Sequence, residues 1–189
     1  MRIIAGKFKG STLHIPKNKN TRPLKDLARE SIFNLLIHSK KIKLNLEQSK
    51  ILDLYAGTGS FGLECLSRQA KSVSFVEKNK DALQILKKNV VKLKVKNKIK
   101  IFYTDIFDLI NNKKKIESKF NIVFCDPPFK DTNMNQLIEL IYNNNILSED
   151  GIIILHRNRS NKDLIPSYFK VIDERIYGVS KIIFGNFLI

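Results

Sequence analysis

From Lys50 onward, short apolar runs of strand type alternate with segments of helical period, a pattern that few architectures accommodate. Strands are expected at 50–55, 72–76, 98–103, 121–125, 151–155, 169–175 and 180–188. Helices are expected at 61–69, 79–95, 105–112 and 132–144, with a short one near 161–167. Strand and helix in turn at this spacing predict an α/β fold, a doubly wound and mostly parallel sheet of seven strands. Only Ile176-Tyr177-Gly178-Val179 separates the last two strand candidates, too little chain for a crossover helix. They are therefore expected to pair as an antiparallel hairpin at the end of the sheet.

The first strand runs into a glycine loop, Ile51-Leu52-Asp53-Leu54-Tyr55-Ala56-Gly57-Thr58-Gly59-Ser60. Gly57 and Gly59 admit a backbone that approaches a ligand closely, and the helix that follows turns its free N–H groups into the same crevice. Gly57-x-Gly59-x-x-Gly62 with Glu77 twenty residues on also fits a dinucleotide fingerprint, so the glycines alone leave NAD or FAD open. Asp53 separates the cases. An acid at the strand end disfavours a nearby pyrophosphate but tolerates a sulfonium cation and its ammonium group, which points to S-adenosylmethionine. Glu77 ends the second strand, where a carboxylate can accept both ribose hydroxyls; it could equally cap the helix starting at Asn79. Asp105 follows the third strand, with Ile106 beside it, and is also a good N-cap for 106–112.

The fourth strand, Asn121 to Cys125, stops at Asp126-Pro127-Pro128-Phe129. Two prolines cannot extend a sheet, because each lacks an N–H and has a fixed φ. A buried strand thus delivers an acid, two prolines and an aromatic ring to its carboxyl end, where open α/β sheets bind ligands. The Asp126 side chain and the Pro127 carbonyl are acceptors, and Phe129 offers a flat apolar face. Two acceptors beside a stacking face suit a planar base carrying an NH2 group. The other reading is a Pro-terminated strand with a core Phe.

Net charge is +16, and residues 1–50 carry twelve Lys or Arg against three acids. That asymmetry suggests a polyanion, a nucleic acid rather than a membrane surface, although the chain is rich in Lys, Asn and Ile throughout. Residues 2–5 and 11–15 are strand-like runs around Gly6-Lys7-Phe8-Lys9-Gly10, which reads as a basic hairpin. After Thr21-Arg22-Pro23 a helical pattern places Leu27, Ser31, Leu35 and Ile32, Phe33, Leu36 on one face, with Thr21 or Asp26 as its cap. Residues 1–45 are expected to form an extension that binds RNA, and 46–189 the catalytic domain. No signal-peptide pattern follows Met1 and no apolar run reaches membrane-spanning length. Cys65 and Cys125 sit at apolar positions as expected for buried free thiols, which suits the cytoplasm. No Cys/His spacing suggests a metal.

Asp126-Pro127-Pro128-Phe129 resembles the motif of methyltransferases that act on exocyclic amino groups, and Asp53-x-x-x-Gly57-x-Gly59 resembles motif I of class I S-adenosylmethionine methyltransferases, whose Rossmann-like sheet ends in a carboxyl-terminal hairpin. The likeness goes further. Arg2-Ile3-Ile4-Ala5-Gly6 with Lys9-Gly10, then Thr21-Arg22-Pro23, Arg29-Glu30-Ser31 and Phe33-Asn34, resembles the amino-terminal signature of the bacterial RsmD family. These enzymes methylate guanine N2 at position 966 of 16S ribosomal RNA.

The resemblance implies cofactor contacts from Asp53, Tyr55, Ala56, Gly57, Thr58, Gly59 and Glu77, with Asp105 accepting from the adenine amino group and Ile106 packing on its ring. It implies chemistry at Asp126, Pro127, Pro128 and Phe129, and RNA contacts from Arg2, Lys7, Phe8, Lys9 and Arg22. Phe8 could stack on a base or simply pack, and Arg22 could instead close over the cofactor. The implied substrate is a partly assembled small subunit, and the implied protein a monomer. The family leads one to expect an acid near Leu155-His156, where this chain has none; His14, His38 and His156 show no partner spacing. Three competitors stay open: an adenine N6 methyltransferase, a release-factor glutamine methyltransferase, and a noncatalytic RNA-binding protein with this fold. The second would be expected to carry Asn at position 126, and the intact loop with Glu77 and Asp126 argues against the third.

Overall fold

The computed structural model describes residues 1–16, 26–111, 116 and 119–188. Helix α1 (Asp26–His38) is followed by strand β1 (Lys50–Leu54), α2 (Ser60–Ser67), β2 (Ser72–Glu77), α3 (Lys80–Lys92), β3 (Ile99–Tyr103) and α4 (Ile106–Asn111). Then come β4 (Phe120–Cys125), α5 (Met134–Asn143), β5 (Leu147–Asn158), β6 (Phe169–Tyr177) and β7 (Ser180–Phe187). The seven strands form one sheet in the order β3-β2-β1-β4-β5-β7-β6. The first five are parallel, while β7 runs antiparallel to both β5 and β6, so the expected hairpin closes the sheet.

Central strands are apolar on both faces because both are covered. Along β1, Ile51 joins the core under α2 and α3, and Leu52 and Leu54 join the core under α4 and α5. Asp53 therefore faces the α2 side, an acid inside the first core. In α3, Asn79 caps the first turn through the N–H groups of Asp81 and Ala82, and Ala82, Leu83, Leu86 and Val90 face inward at helical spacing.

Three local expectations are corrected. No helix forms near 161–167, where the chain is irregular between two turns; Pro166 lacks an N–H, and the segment is held instead by side chains described below. The amino-terminal hairpin has a single ladder bridge, Arg2 with Thr12, closed by hydrogen bonds between Ile3 and Ser11 and between Leu13 and Met1. In α1 the buried face is Ala28, Arg29, Ile32, Phe33 and Leu36, while Leu27 is exposed. Leu27, Ser31 and Leu35 line a groove between α1 and β6. Thr21 and Arg22 lie outside the described residues.

The amino-terminal residues share the core of the main sheet. Phe33 of α1 stacks on Phe61 of α2 at 5.4 Å, and Phe61 on Phe124 of β4 at 4.0 Å. Fully buried Glu64 accepts from the N–H groups of Ile4 (2.7 Å) and Ala5 (3.0 Å) and from Arg68 Nε (2.9 Å). Arg29, equally buried, donates to the Arg2 carbonyl at 2.6 Å and to Asp26 at 2.9 Å. Arg29 is thus structural. Removing the Glu64 carboxylate would strand two backbone donors and a guanidinium. Glu64→Ala should cost about 3 kcal/mol of stability, read as a lower denaturant midpoint, and should release residues 1–6 to rapid amide exchange.

Candidate active site

Parallel pairing of β1 with β4 sets Leu54 beside Cys125, and the strand order reverses at this pair. The loops leaving the two tips, Tyr55–Gly59 and Asp126–Phe129, therefore open on one crevice. Its cavity has a volume of about 550 Å³. One wall is Tyr55, Ala56, Gly57, Thr58, Ser60, Glu77, Asp105 and Ile106; the other is Asp126, Pro127, Pro128 and Phe129 with Asp131, His156 and Ser180.

The glycine loop reverses sharply, with Tyr55, Gly57 and Gly59 all at positive φ. A non-glycine residue held there is strained and must be over-determined by its surroundings. Three buried groups do this. Glu77 Oε2 accepts from the Gly57 N–H at 2.6 Å, and Asp53 Oδ2 accepts from the Gly62 N–H at 3.0 Å. Asn89 donates to the Thr58 carbonyl at 3.1 Å while exchanging two hydrogen bonds with the His14 backbone. Gly59 combines a positive φ with close packing: a Cβ there would meet a Leu86 methyl at 2.3 Å.

Of the sequence-predicted cofactor residues, all but Asp53 and Gly59 line the cavity; buried Asp53 lies behind it, bonded to Gly62. Glu77 does two things at once. It caps Asn79 N–H through Oε1 at 2.7 Å and faces the cavity, and its carboxylate keeps lone pairs to spare. Asp105 caps the N–H of Phe107 through Oδ1 and pairs with Lys78 Nζ through Oδ2, each at 2.9 Å. Partial burial works against its charge, but Lys78 and the helix N–H groups hold the carboxyl below its usual range. Ile106 is buried and lines the cavity beside it. Acceptors at Glu77 and Asp105 with an apolar side chain between fit an adenosine. Among the described residues no group of three or more His, Cys, Asp or Glu is placed to hold a metal.

The second wall is tied to the end of β5. His156, which sequence reasoning left without a role, hydrogen-bonds Asp126 Oδ1 through Nδ1 at 2.7 Å and meets the Phe129 ring edge-on at 5.6 Å. Fully buried Arg157 holds Asp163 with two nitrogens and donates to the Asp131 carbonyl at 2.6 Å. Asn161 donates to the Phe129 carbonyl at 3.1 Å. The signal for His156 lay in the pairing: with β4 next to β5, Cys125 pairs with Leu155, so Asp126 and His156 are the next residues on each strand.

The predicted RNA contacts lie elsewhere. Arg2, Lys7 and Lys9 are exposed, but the hairpin tip docks on the far end of α2, where Lys7 and Phe8 donate to Ser67. The eight residues of α2 place that tip about 12 Å from the cavity rim. Phe8 packs partly buried against the core, with Lys7 Nζ 5.8 Å over its ring.

The family model described as "Conserved hypothetical protein 95" matches residues 1–186. Ribosomal RNA small subunit methyltransferase D of Haemophilus influenzae is 32% identical, over 95% of this chain and 90% of its own length. The protein of the same name from Buchnera aphidicola subsp. Baizongia pistaciae is 34% identical over 88% and 81%. The chain belongs to the small-subunit ribosomal RNA methyltransferase D family. The fold agrees: the solved yhhF protein of Escherichia coli superposes with a TM-score of 0.84 at 27% identity, over 98% of this chain and 96% of that one. In this member of the family the β1–β4 junction brings two walls of different chemistry to one crevice.

Burial drives the Asp53 carboxyl well above its usual range, against the one N–H of Gly62 that favours the charged form, and the charges of Asp126 and Glu77 add to the rise. The folded chain therefore binds this proton more tightly than the unfolded one. The sign follows: stability present in the acid range is lost as pH rises from the ordinary carboxylate range through the raised value. Asp53→Asn keeps an oxygen for Gly62 and removes the titration. Its urea midpoint should fall less than that of the parent between about pH 5 and pH 8; parallel pH profiles would contradict this.

Proposed function

We propose that the chain methylates the exocyclic N2 amino group of a guanine in 16S ribosomal RNA, with S-adenosylmethionine as donor. The observation that carries the reading is the single cavity shared by the Glu77–Asp105–Ile106 wall and the Asp126-Pro127-Pro128-Phe129 corner. Glu77 would hold the ribose hydroxyls, Asp105 the adenine amino group and Ile106 the adenine face, while Asp53 keeps the glycine loop in shape. The bound donor supplies a sulfonium-linked methyl group as electrophile.

The chain's own task is positioning. The amino nitrogen of guanine is a poor nucleophile because its lone pair is conjugated with the ring. Asp126 and the Pro127 carbonyl accept its two N–H bonds, favouring pyramidal nitrogen with the lone pair turned toward the glycine-loop wall. Phe129 fixes the ring plane. Holding the reactants in this geometry accounts for most of the acceleration, and acceptors that meet developing positive charge add to it. Once the N–C bond has formed the nitrogen is acidic and releases its proton to the Asp126 carboxylate or to water, so no strong base is needed. The target base must be unpaired or extruded to enter.

Residues 1–45 serve as the RNA-binding portion and 46–189 as the transferase portion of a cytoplasmic monomer acting on a partly assembled small subunit. With the hairpin tip about 12 Å from the cavity, Lys7, Lys9 and Arg2 would engage RNA backbone flanking the target, by shape and phosphate rather than by base. Arg22, outside the described residues, is a further proposed RNA contact.

Incubation of labelled S-adenosylmethionine with precursor small subunits should give N2-methylguanine on nucleoside mass spectrometry; N6-methyladenine would overturn the choice of base. In the same assay Asp126→Ala should lose transfer at least about 100-fold with S-adenosylhomocysteine affinity nearly intact, and equal loss of both would make Asp126 structural. Lys7→Glu with Lys9→Glu should weaken RNA binding and lower the salt slope by about 1 per lysine. An unchanged slope would take the hairpin off the RNA surface.

A further inference from the structure

His156 stands at the end of β5 with less than a tenth of its surface exposed. Its Nδ1 lies 2.7 Å from Asp126 Oδ1, and its Nε2 is buried with no hydrogen-bond partner among the described residues. A buried imidazolium would leave a charged N–H without an acceptor at Nε2, far costlier than a bare lone pair. A neutral ring protonated at Nε2 would set the Nδ1 lone pair against a carboxylate and orphan the Nε2 proton as well. The arrangement that leaves fewest groups unsatisfied is the neutral Nδ1–H form, donating to Asp126 and leaving Nε2 bare.

We propose that His156 is a positioning residue for methyl transfer: it donates from Nδ1 to Asp126 Oδ1, locks the carboxylate rotamer, and leaves Oδ2 turned to the substrate amino group. This rests on the functional reading above and adds to it a residue that the motif does not contain. Its neighbours support the same job. Arg157 holds the Asp131 carbonyl and Asn161 the Phe129 carbonyl, so one segment, His156–Asn161, fixes the catalytic corner at three points. His156 also stands at the strand end where an acid was expected. An acid there would repel the Asp126 carboxylate; an Nδ1–H donor orders it.

Two substitutions separate this hydrogen bond from mere packing. Asn places its amide nitrogen at the same depth along the side chain as Nδ1, whereas Gln places it at the depth of Nε2. His156→Ala and His156→Gln should each lower kcat about 30-fold to 100-fold, with the KM for precursor small subunits and the affinity for S-adenosylhomocysteine within about twofold. His156→Asn should recover to within about fivefold of the parent. Unaltered kcat in the Ala variant, equal loss in Asn and Gln, or a loss seen mainly in cofactor affinity would overturn the proposal. A measurement independent of activity completes it. With 15N-labelled histidine, the His156 ring should appear as the Nδ1–H tautomer and revert toward Nε2–H in Asp126→Ala; an Nε2–H ring in the parent would also sink it. A parent chain inactive on every RNA offered would retire the functional reading, whereas normal parent activity with unaffected His156 variants would retire this inference alone.

Discussion

Parallel pairing of β1 with β4 is the constraint from which the site follows. The crossover connections leave from the carboxyl ends of both strands, and the strand order turns at that pair, so the two departing loops cannot avoid each other. Move either strand one place in the sheet and the glycine loop and the double-proline corner would belong to different crevices. The same pairing continues to β5, and Cys125 opposite Leu155 then sets Asp126 beside His156. One ladder thus assembles the glycine-loop wall, the double-proline corner and that corner's support.

What holds the walls still is a set of buried polar groups, each of which ties one loop to one rigid element. Glu77 and Asn89 reach the glycine loop from β2 and α3, and Asp53 reaches from β1 to the first turn of α2 at Gly62. Arg157 and Asn161 reach the substrate corner from β5 and the chain after it. In a low-dielectric interior such groups are worth keeping only when paired, and the pairing fixes geometry more than it adds stability. Asn89 joins the systems: its amide reaches both Thr58 in the loop and the backbone of His14, so the end of the basic hairpin and the cofactor wall share one side chain.

The amino-terminal segment is integrated with the sheet rather than appended to it. Ile3, Leu13, Phe33 and Leu36 sit in the same core as Phe61 and Phe124, and Glu64 of α2 collects the hairpin backbone. Burying these side chains against α2 is what carries the cluster of exposed lysines to a defined distance from the cavity. If that basic surface binds RNA as proposed, its fixed attachment to the sheet would set which nucleotide reaches Asp126 without a flexible tether.

Local sequence decided the elements and most of the site. Period, proline and glycine placed all seven strands and the four helices that alternate with them, because those signals act within a few residues. That Gly57, Glu77, Asp105 and Asp126 would come to one cavity was legible because each follows or ends a strand at the carboxyl edge of the sheet. The tertiary structure alone decided the rest. It turned Asp53 toward α2, where it accepts from Gly62, since which face of β1 meets α2 depends on packing. It replaced the expected helix near 161–167 with an irregular segment, since Pro166 lacks an N–H and the Asp163 and Asn161 side chains are held by Arg157 and the Phe129 carbonyl instead. It gave His156 its carboxylate, thirty residues away in sequence, because hydrogen bonds of that separation exist only once β4 and β5 lie side by side.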